Sequence, residues 1–148
     1  MVVSSKHLQS GFTLIEGMLV VAILAIVVAI AYPNYQRSVI KTKRVDMMTS
    51  LQSIASNIQA QKLAKGNYAA VDKTQLTGAY PQQGTPKLYT VDITLDANSD
   101  NLLGDWKLTA TPIITTLMKD DGILTLDAIG IKCRGTECGQ GDEWNKNK

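Results

Sequence analysis

The chain has 148 residues, of which 45% are hydrophobic, and it carries 15 Lys and Arg side chains against 13 Asp and Glu. That length suits one ordinary domain with a sizeable core. The formal net charge of +2 excludes both a strongly basic nucleic-acid binder and an acidic solvating tail. A single His and two Cys leave little material for catalysis or for a metal site. The mean hydropathy of −0.01 averages over two unlike parts of the chain.

The first part is strongly apolar. Residues 17–31 read GMLVVAILAIVVAIA without one polar side chain, and the first 40 residues hold only three formal charges. The 20 residues 12–31 would form a helix of about 30 Å, which matches the hydrocarbon core of a bilayer. Glu16 lies inside this run. A carboxylate in lipid is costly enough that it usually has a function and a partner.

Two ordinary targeting segments are alternatives for this run. A secretory signal would use Lys6 and His7 as its positive region and would be cleaved after Ala31, before Tyr32. A single-pass signal anchor would keep the helix in the membrane. Both leave Glu16 unexplained, and cleavage at Ala31 would separate the run from a sequence that continues with helical periodicity.

Residues 11–35 read GFTLIEGMLVVAILAIVVAIAYPNY, which combines a Gly, a Phe, an acid at the fifth position after that Gly and a Pro at fixed spacing. This segment closely resembles the class III signal of type IV pilins. The resemblance implies cleavage after Gly11 by a prepilin peptidase and N-methylation of the new N-terminal Phe12. The domains it implies are a leader at 1–11, a hydrophobic transmembrane and filament-core helix at 12–34, and a periplasmic or extracellular globular domain at 35–148.

The same resemblance gives Glu16 a role in the register of assembly. In a staggered stack of helices, its carboxylate would neutralise the Phe12 amine of the adjacent subunit, and such a desolvated pair is favourable only in the correct register. A tolerated acid near the membrane interface is the alternative. Gly17 departs from the family, which usually has a large apolar residue there, and it lowers helix propensity by about 1 kcal/mol relative to Ala.

Pro33 follows the apolar run at a position where pilins commonly have a Pro. A Pro removes one backbone hydrogen bond, so we expect it to kink or locally melt the helix. The alternative is a boundary between two separate helices.

A basic cluster comes next, at Arg37, Lys41, Lys43 and Arg44. The positive-inside rule alone would place the C-terminal side of the helix in the cytoplasm. The resemblance to pilins implies the opposite orientation, and we follow it. We expect the cluster to form a solvated collar at the membrane boundary or to pair with acids of neighbouring subunits. Contact with lipid phosphates or DNA is the alternative.

Helical spacing continues beyond this cluster. Residues 35–65 contain no Pro or Gly, and residues Gly66 and Asn67 form a typical C-terminal stop. Together with the apolar run, this predicts one helix of about 54 residues, apolar all round in its first half and amphipathic in its second, which suits a filament core. Its apolar stripe is Val45, Met48, Leu51, Ala55 and Ile58, widened by Met47 and Ile54.

The remaining sequence predicts a small antiparallel sheet. Residues 66–87 are rich in Gly and Pro and correspond, by resemblance, to the αβ-loop of pilins. We expect Tyr68, Tyr80 and Tyr89 to anchor this loop against the sheet, and a ligand site in the loop is the alternative. Alternating polar and apolar residues predict strands at 88–96, 105–112 and 123–132, a fourth strand nearby, and turns at 97–105 and 119–122. The predicted fold class is α+β, with the long helix packed on the sheet as in the pilin fold.

Two of these strands sharpen the resemblance. The phrases WKLTATP and GILTLDAIGIK look like the C-terminal half of PilE-type minor pilins. Those proteins would have a Cys just before LTL and another beside the final Trp. Gly122 and Asn145 stand near those places here, and the cysteines lie elsewhere, at Cys133 and Cys138.

The two cysteines have no further Cys or His nearby, so they cannot complete a tetrahedral zinc site, and C-x4-C is not a redox CxxC motif. We expect a Cys133–Cys138 disulfide, which fits an oxidising periplasm and would stabilise the fold by about 2 kcal/mol through loop entropy. Two free thiols are the alternative. We expect the adjacent acids Asp120 and Asp121, and Asp142 and Glu143, to be solvated and to bind a cation weakly at most.

His7, the sole His, lies in the predicted leader, so His-based acid–base chemistry is excluded. We predict a protein that is not an enzyme and has no cofactor and no metal. The predicted function is that of a structural subunit of a type IV pilus, and within that class a minor pilin in pilus assembly or initiation, serving twitching motility, adhesion or DNA uptake. The alternatives are a major pilin, a type II secretion pseudopilin and a pilin that binds DNA or a surface. The PilE-like motifs and the disulfide argue against the pseudopilin.

By resemblance, the partners are other pilin subunits, the prepilin peptidase and methyltransferase, and the inner-membrane assembly platform. The chain would lie in the bacterial inner membrane, with its C-terminal domain in the periplasm, before it enters a cell-surface pilus. The near-neutral domain gives no support for strong nucleic-acid affinity, which needs clustered cations.

Overall fold

The computed structural model describes residues 12–68, 70–95 and 106–145. The predicted leader, with Gly11, and the predicted turn at 97–105 lie outside these residues. The chain separates into two compact units, one that ends at Ser38 and one that begins at Val39. The second unit holds the sheet and the buried core.

Helix α1 runs over Leu14–Lys65 and has 52 residues, which confirms the predicted long helix. Thr13 caps its start, because the Glu16 backbone N–H donates to the Thr13 hydroxyl at 3.3 Å. Gly66 ends it with a φ of 85°, in the left-handed region that Gly adopts without steric cost. The helix passes through Pro33 without interruption, so Pro33 neither melts the helix nor separates two helices. A kink there stays a prediction.

A six-stranded antiparallel sheet follows, and its spatial order is the chain order. The fold class is therefore α+β, as predicted. The central register pairs Leu108 of β3 with Ile93 on one side and with Leu126 on the other. The strands are β1 Gly78–Tyr80, β2 Tyr89–Leu95, β3 Trp106–Pro112, β4 Leu124–Asp127, β5 Lys132–Arg134 and β6 Glu137–Gly139.

The core lies between one face of this sheet and the second half of α1. On α1, the buried apolar positions are Met47, Leu51, Ile54 and Ile58, at the steps of four and three that place side chains on one helix face. Val45, predicted to belong to the stripe, is instead 41% exposed. The rest of the predicted stripe is buried in the core or packed against it, so the stripe is confirmed except at Val45.

The predicted anchoring of the loop by tyrosines is confirmed. Tyr80 and Tyr89 are buried and face each other in register across β1 and β2. Tyr68 is partly buried against the core. The sequence did not predict β1, because its three residues lie within a stretch dominated by Gly and Pro.

The strand predicted at 123–132 is confirmed only over Leu124–Asp127, because a turn follows, and the predicted fourth strand is β5. Strand β4 ends at Asp127, whose carboxylate accepts hydrogen bonds from the backbone N–H groups of Ile129 and Ile131, at 3.1 and 2.8 Å. Gly130 completes the turn with a φ of 84°. The chain then returns as β5, so a carboxylate and one Gly override an apolar run that otherwise reads as continuous strand.

Candidate functional site

The first turn of α1 carries the residues for which the sequence predicts an assembly role. Phe12 is 77% exposed and Glu16 is exposed as well. Thr13 and Glu16 have the T-x-x-E spacing of a capping box, and the Glu16 N–H bond to Thr13 is the half of that motif seen here. Glu16 therefore also lies where an acid favours the positive end of the helix dipole, a local contribution that the sequence reasoning missed.

The apolar half of α1 has no cover within a single chain. None of residues 12–38 is buried, and the large apolar side chains of the run range from 44% exposed at Val20 to 82% at Leu14. By length and composition, this is the one described helix able to cross a membrane. Apolar area on this scale is removed from water by lipid or by other helices.

Arg44 is not part of the predicted solvated collar. Its side chain is buried, and its Nε donates to Oδ1 and Oδ2 of Asp121 at 2.8 and 3.0 Å. Its Nη2 also donates to Oδ1. Asp121, expected to be solvated, is fully buried at its side chain. Arg44 lies three residues before the buried Met47, so the Arg44 guanidinium is on the core face of α1. A charge on that face needs a partner.

Two more side chains bind the same carboxylate. The Tyr89 hydroxyl donates to Oδ2 at 2.7 Å, and Arg134 Nη2 donates to Oδ1 at 3.3 Å. Arg134 Nε also donates to the Asp121 backbone carbonyl at 2.8 Å. Burial, together with the hydrogen bond to Asp121, raises the pKa of Tyr89 well above its ordinary value, so this hydroxyl is a permanent donor. Burial, followed by the nearby Arg44 charge, lowers the pKa of Arg134.

Asp121 therefore ties three distant parts of the chain together: α1 through Arg44, β2 through Tyr89 and β5 through Arg134. Two guanidinium groups share this one carboxylate. Removal of the carboxylate would therefore leave uncompensated buried positive charge. By contrast, Lys43 and Asp46 form an exposed pair at 3.6 Å on the helix surface. The basic cluster of the sequence is thus divided between a structural residue and solvated ones.

The Cys133–Cys138 disulfide is present, as predicted. The two cysteines are direct cross-strand partners in β5 and β6, with their Cα atoms 4.1 Å apart. The hexapeptide is therefore a disulfide-closed hairpin that extends the sheet, and not an irregular loop. Cys133 is opposite Thr125 of β4, which places the disulfide on the sheet face away from the core.

The C-terminal segment covers the inner face of this hairpin. A short 3-10 helix over Glu143–Asn145 buries Trp144, whose Nε1 donates to the Thr125 carbonyl at 3.0 Å. The Lys132 ammonium lies 5.5 Å from the centroid of the Trp144 ring. Glu143, expected to be solvated, is buried. The sequence did not predict this helix, because three residues are too few to show a helical period.

No catalytic geometry is evident among the described side chains. In that part of the chain, no group of three or more His, Cys, Asp and Glu residues is placed to hold a metal ion. The buried polar residues Arg44 and Asp121 bond to each other and to Tyr89 and Arg134, so they act in folding.

Two family models match the chain. Residues 33–134 match the model described as type IV minor pilin ComP, DNA uptake sequence receptor. Residues 6–32 match the prokaryotic N-terminal methylation motif. The two matches meet near Pro33 and together span the helix and nearly all of the sheet.

The curated relatives are fimbrial proteins. A type IV major fimbrial protein FimA from Dichelobacter nodosus is 32% identical over 133 residues, which covers 86% of this chain and 81% of the relative. A fimbrial protein from Pseudomonas aeruginosa is 31% identical over 134 residues, which covers 78% of this chain and 82% of the relative. No solved structure matches the chain at a significant level.

Proposed function

The chain belongs to the type IV pilin family, and from that membership we propose that it is a minor pilin which assembles with other pilins after processing at Gly11. Members of this family are structural subunits of filaments, and they are not enzymes. The proposal places the chain first in the inner membrane, with its sheet domain in the periplasm, and afterwards in a pilus.

The observation that carries the proposal is the uncovered apolar half of α1. Its large apolar side chains are at least 44% exposed, so the single chain is incomplete in water. A membrane covers this surface before assembly, and the equivalent helices of neighbouring subunits cover it in a filament. The disulfide supports a periplasmic sheet domain, because such bonds persist in oxidising compartments.

Processing is tested by the mature N-terminus. Protein recovered from pili or membranes should begin with N-methyl-Phe12. A mature chain that begins with Tyr32 would instead support the secretory signal. A chain that keeps Met1 would support the signal anchor.

The minor role is tested by abundance. The matching family model is described as a minor pilin, whereas the relatives are named major fimbrial proteins. Quantitative mass spectrometry of sheared pili should find this chain well below the principal subunit, and deletion should reduce the number of pili. If this chain is the principal subunit, the role is that of a major pilin.

DNA binding is a second candidate, which the description of that family model favours. The domain is nearly neutral, and Lys43 and Lys132 are each engaged, one with Asp46 and the other with the Trp144 ring. The electrostatic part of any binding should therefore be small and its salt dependence shallow. A titration of labelled DNA duplexes at two salt concentrations tests this. Equal, undetectable binding of uptake-sequence and scrambled duplexes would exclude a receptor role.

A further inference from the structure

A small cleft is lined by α1, by the segment that joins β1 to β2, and by Leu117 of the connection between β3 and β4. Its cavity measures about 170 Å³. An apolar cavity of about 150 Å³ holds one benzene molecule, so this cleft has room for one branched or aromatic side chain. All of its lining residues belong to the second compact unit, and most of them are apolar.

The apolar surface that the cleft offers to a ligand lies at its rim. Pro81 and Pro86 are exposed there, and Leu117 is 45% exposed. Beneath the rim, Met47 and Leu88 are buried and close the cleft. A ligand gains by taking the rim out of water, at about 25 cal/mol per Å² of apolar surface. The part of the ligand that enters the cleft is therefore apolar.

Two opposite charges line the same cleft. Lys43 Nζ lies 3.6 Å from Asp46 Oδ2, and their side chains are 46% and 63% exposed. This distance is too long for a hydrogen bond. An exposed pair of this kind contributes about 0–1 kcal/mol, so a ligand can separate the two charges at little cost.

The ligand that complements this arrangement carries both charges beside an apolar group. An α-amino acid has its ammonium and its carboxylate on one carbon, so the two groups can reach Asp46 and Lys43 while the side chain enters the cleft. The resulting charge-assisted hydrogen bonds replace a pair that is not hydrogen-bonded. A ligand with only one charge would complement only one of the two side chains.

Two hydroxyl groups in the cleft are compatible with the same ligand. The Ser50 hydroxyl donates to the Asp46 backbone carbonyl at 2.9 Å, and its oxygen keeps a lone pair that can accept from an ammonium group. The Thr85 hydroxyl also lines the cleft, and a hydroxyl can donate to a carboxylate or accept from an ammonium group.

We propose that this cleft binds a free α-amino acid with an uncharged branched or aromatic side chain. The carboxylate of the amino acid contacts Lys43, and its ammonium group contacts Asp46. Its side chain lies against Pro81, Pro86 and Leu117. The site is independent of the proposed minor role and of DNA binding, because a single chain holds all of these residues.

The test uses the full chain in lipid nanodiscs, since the alkyl chain of a detergent could enter the cleft. The probes are L-leucine and L-phenylalanine, followed by NMR through the methyl signals of Met47 and Leu117. At least one amino acid should shift both signals in a saturable way. The methyl signals of Leu108, which is buried in the centre of the sheet and does not line the cleft, should stay unchanged.

Analogues of leucine separate the two charges. Isocaproate keeps the carboxylate and lacks the ammonium group, whereas isoamylamine keeps the ammonium group and lacks the carboxylate. Each should bind at least about tenfold more weakly than leucine, which corresponds to 1.4 kcal/mol. Comparable binding of either analogue would show that one charge suffices, and this would overturn the proposal.

Substitutions test the same two contacts from the side of the protein. Lys43→Met and Asp46→Asn should each weaken the binding of the amino acid by about tenfold or more. Lys41→Met is the matched control, because Lys41 is an exposed lysine of the same helix that does not line the cleft, and it should leave the binding unchanged.

Three further results would overturn the proposal. The first is the absence of a saturable shift with both amino acids. The second is unchanged binding by Lys43→Met or by Asp46→Asn. The third is a shift of the Met47 and Leu117 signals that depends on protein concentration without amino acid, which would assign the cleft to a second copy of the chain.

Discussion

Arg44 of α1 and Asp121 of the connection before β4 form a buried ion pair, in which Nε donates to both carboxylate oxygens at 2.8 and 3.0 Å. The residues are 77 positions apart in the chain, and their pairing fixes the helix to the connection before β4. Sequence patterns had placed both in solvent. Because Arg44 is buried in this pair, the basic cluster that follows the apolar run is not wholly a solvated collar at the membrane boundary.

Replacing Asp121 should be among the most disruptive single changes in the sheet domain. Asp121→Asn leaves Arg44 and Arg134 buried without their counter-charge, and we expect it to lower the free energy of unfolding by about 3–5 kcal/mol. Lys43→Met is the control, because its pair with Asp46 is exposed and should contribute less than about 1 kcal/mol. Urea unfolding of the full chain, followed by fluorescence, measures both. Similar losses for the two variants would contradict the structural role of Asp121.

The two tryptophans provide a matched comparison. Trp144 Nε1 donates to the Thr125 carbonyl, whereas Trp106 Nε1 is buried with no hydrogen-bond partner among the described residues. Replacement by Phe removes a similar ring in both cases, but only Trp144→Phe removes that hydrogen bond. We expect Trp144→Phe to be more destabilising than Trp106→Phe by about 1 kcal/mol. Thermal unfolding of the two variants measures the difference, and the reverse order would show that the hydrogen bond is not decisive.

The disulfide should contribute modestly to stability. The Cys133–Cys138 loop is short, so replacing both residues by Ser should reduce the free energy of unfolding by about 2 kcal/mol. Non-reducing peptide mapping should recover the linked pair from periplasmic protein. Two alkylatable thiols in that material would contradict the bond, and the single Cys133→Ser variant should match the double one unless Cys138 finds another partner.

Glu16 combines a charge with a helix-capping position, and two substitutions separate them. Glu16→Gln keeps the capping-box residue type and removes the charge, so it should be processed normally but enter pili poorly if the carboxylate pairs with the Phe12 amine of a neighbour. Thr13→Ala weakens the cap and keeps the charge. We expect it to assemble far better than Glu16→Gln. Immunoblots of cell and sheared-pilus fractions measure both steps, and normal piliation by Glu16→Gln would exclude the register role.

Asp72 should show a local dependence on pH. The Thr74 hydroxyl and backbone N–H donate to its carboxylate at 2.6 and 2.9 Å, and these bonds hold the pKa of Asp72 below its usual value. A lowered pKa in the fold means that the stabilisation is present at neutral pH and is lost as the pH falls through the folded pKa. Thr74→Val should raise the pKa of Asp72 in an NMR titration. Thr77→Val removes a hydroxyl that donates to the Lys73 carbonyl instead, so it should leave the pKa of Asp72 unchanged.

Where the sequence failed, one specific interaction overrode a local pattern. Residues 123–132 read as one strand, but the Asp127 carboxylate and Gly130 fold them into a turn. Glu143 and Trp144 gave no periodic signal because a three-residue helix is too short to show one. Arg44 and Asp121 looked solvated because charged residues usually are, and nothing local indicates that they meet.

The sequence by itself determined the long helix and its end at Gly66, the α+β class, the disulfide and the family, because each rests on local periodicity, on spacing or on a contiguous motif. Only the tertiary structure decided that Val45 lies outside the buried helix face, which charges are taken out of solvent, and that the Cys hairpin continues the sheet. The physical reason is the same in each case. Burial and ion pairing depend on residues far apart in the chain, and a local pattern is compatible with several such arrangements until packing selects one.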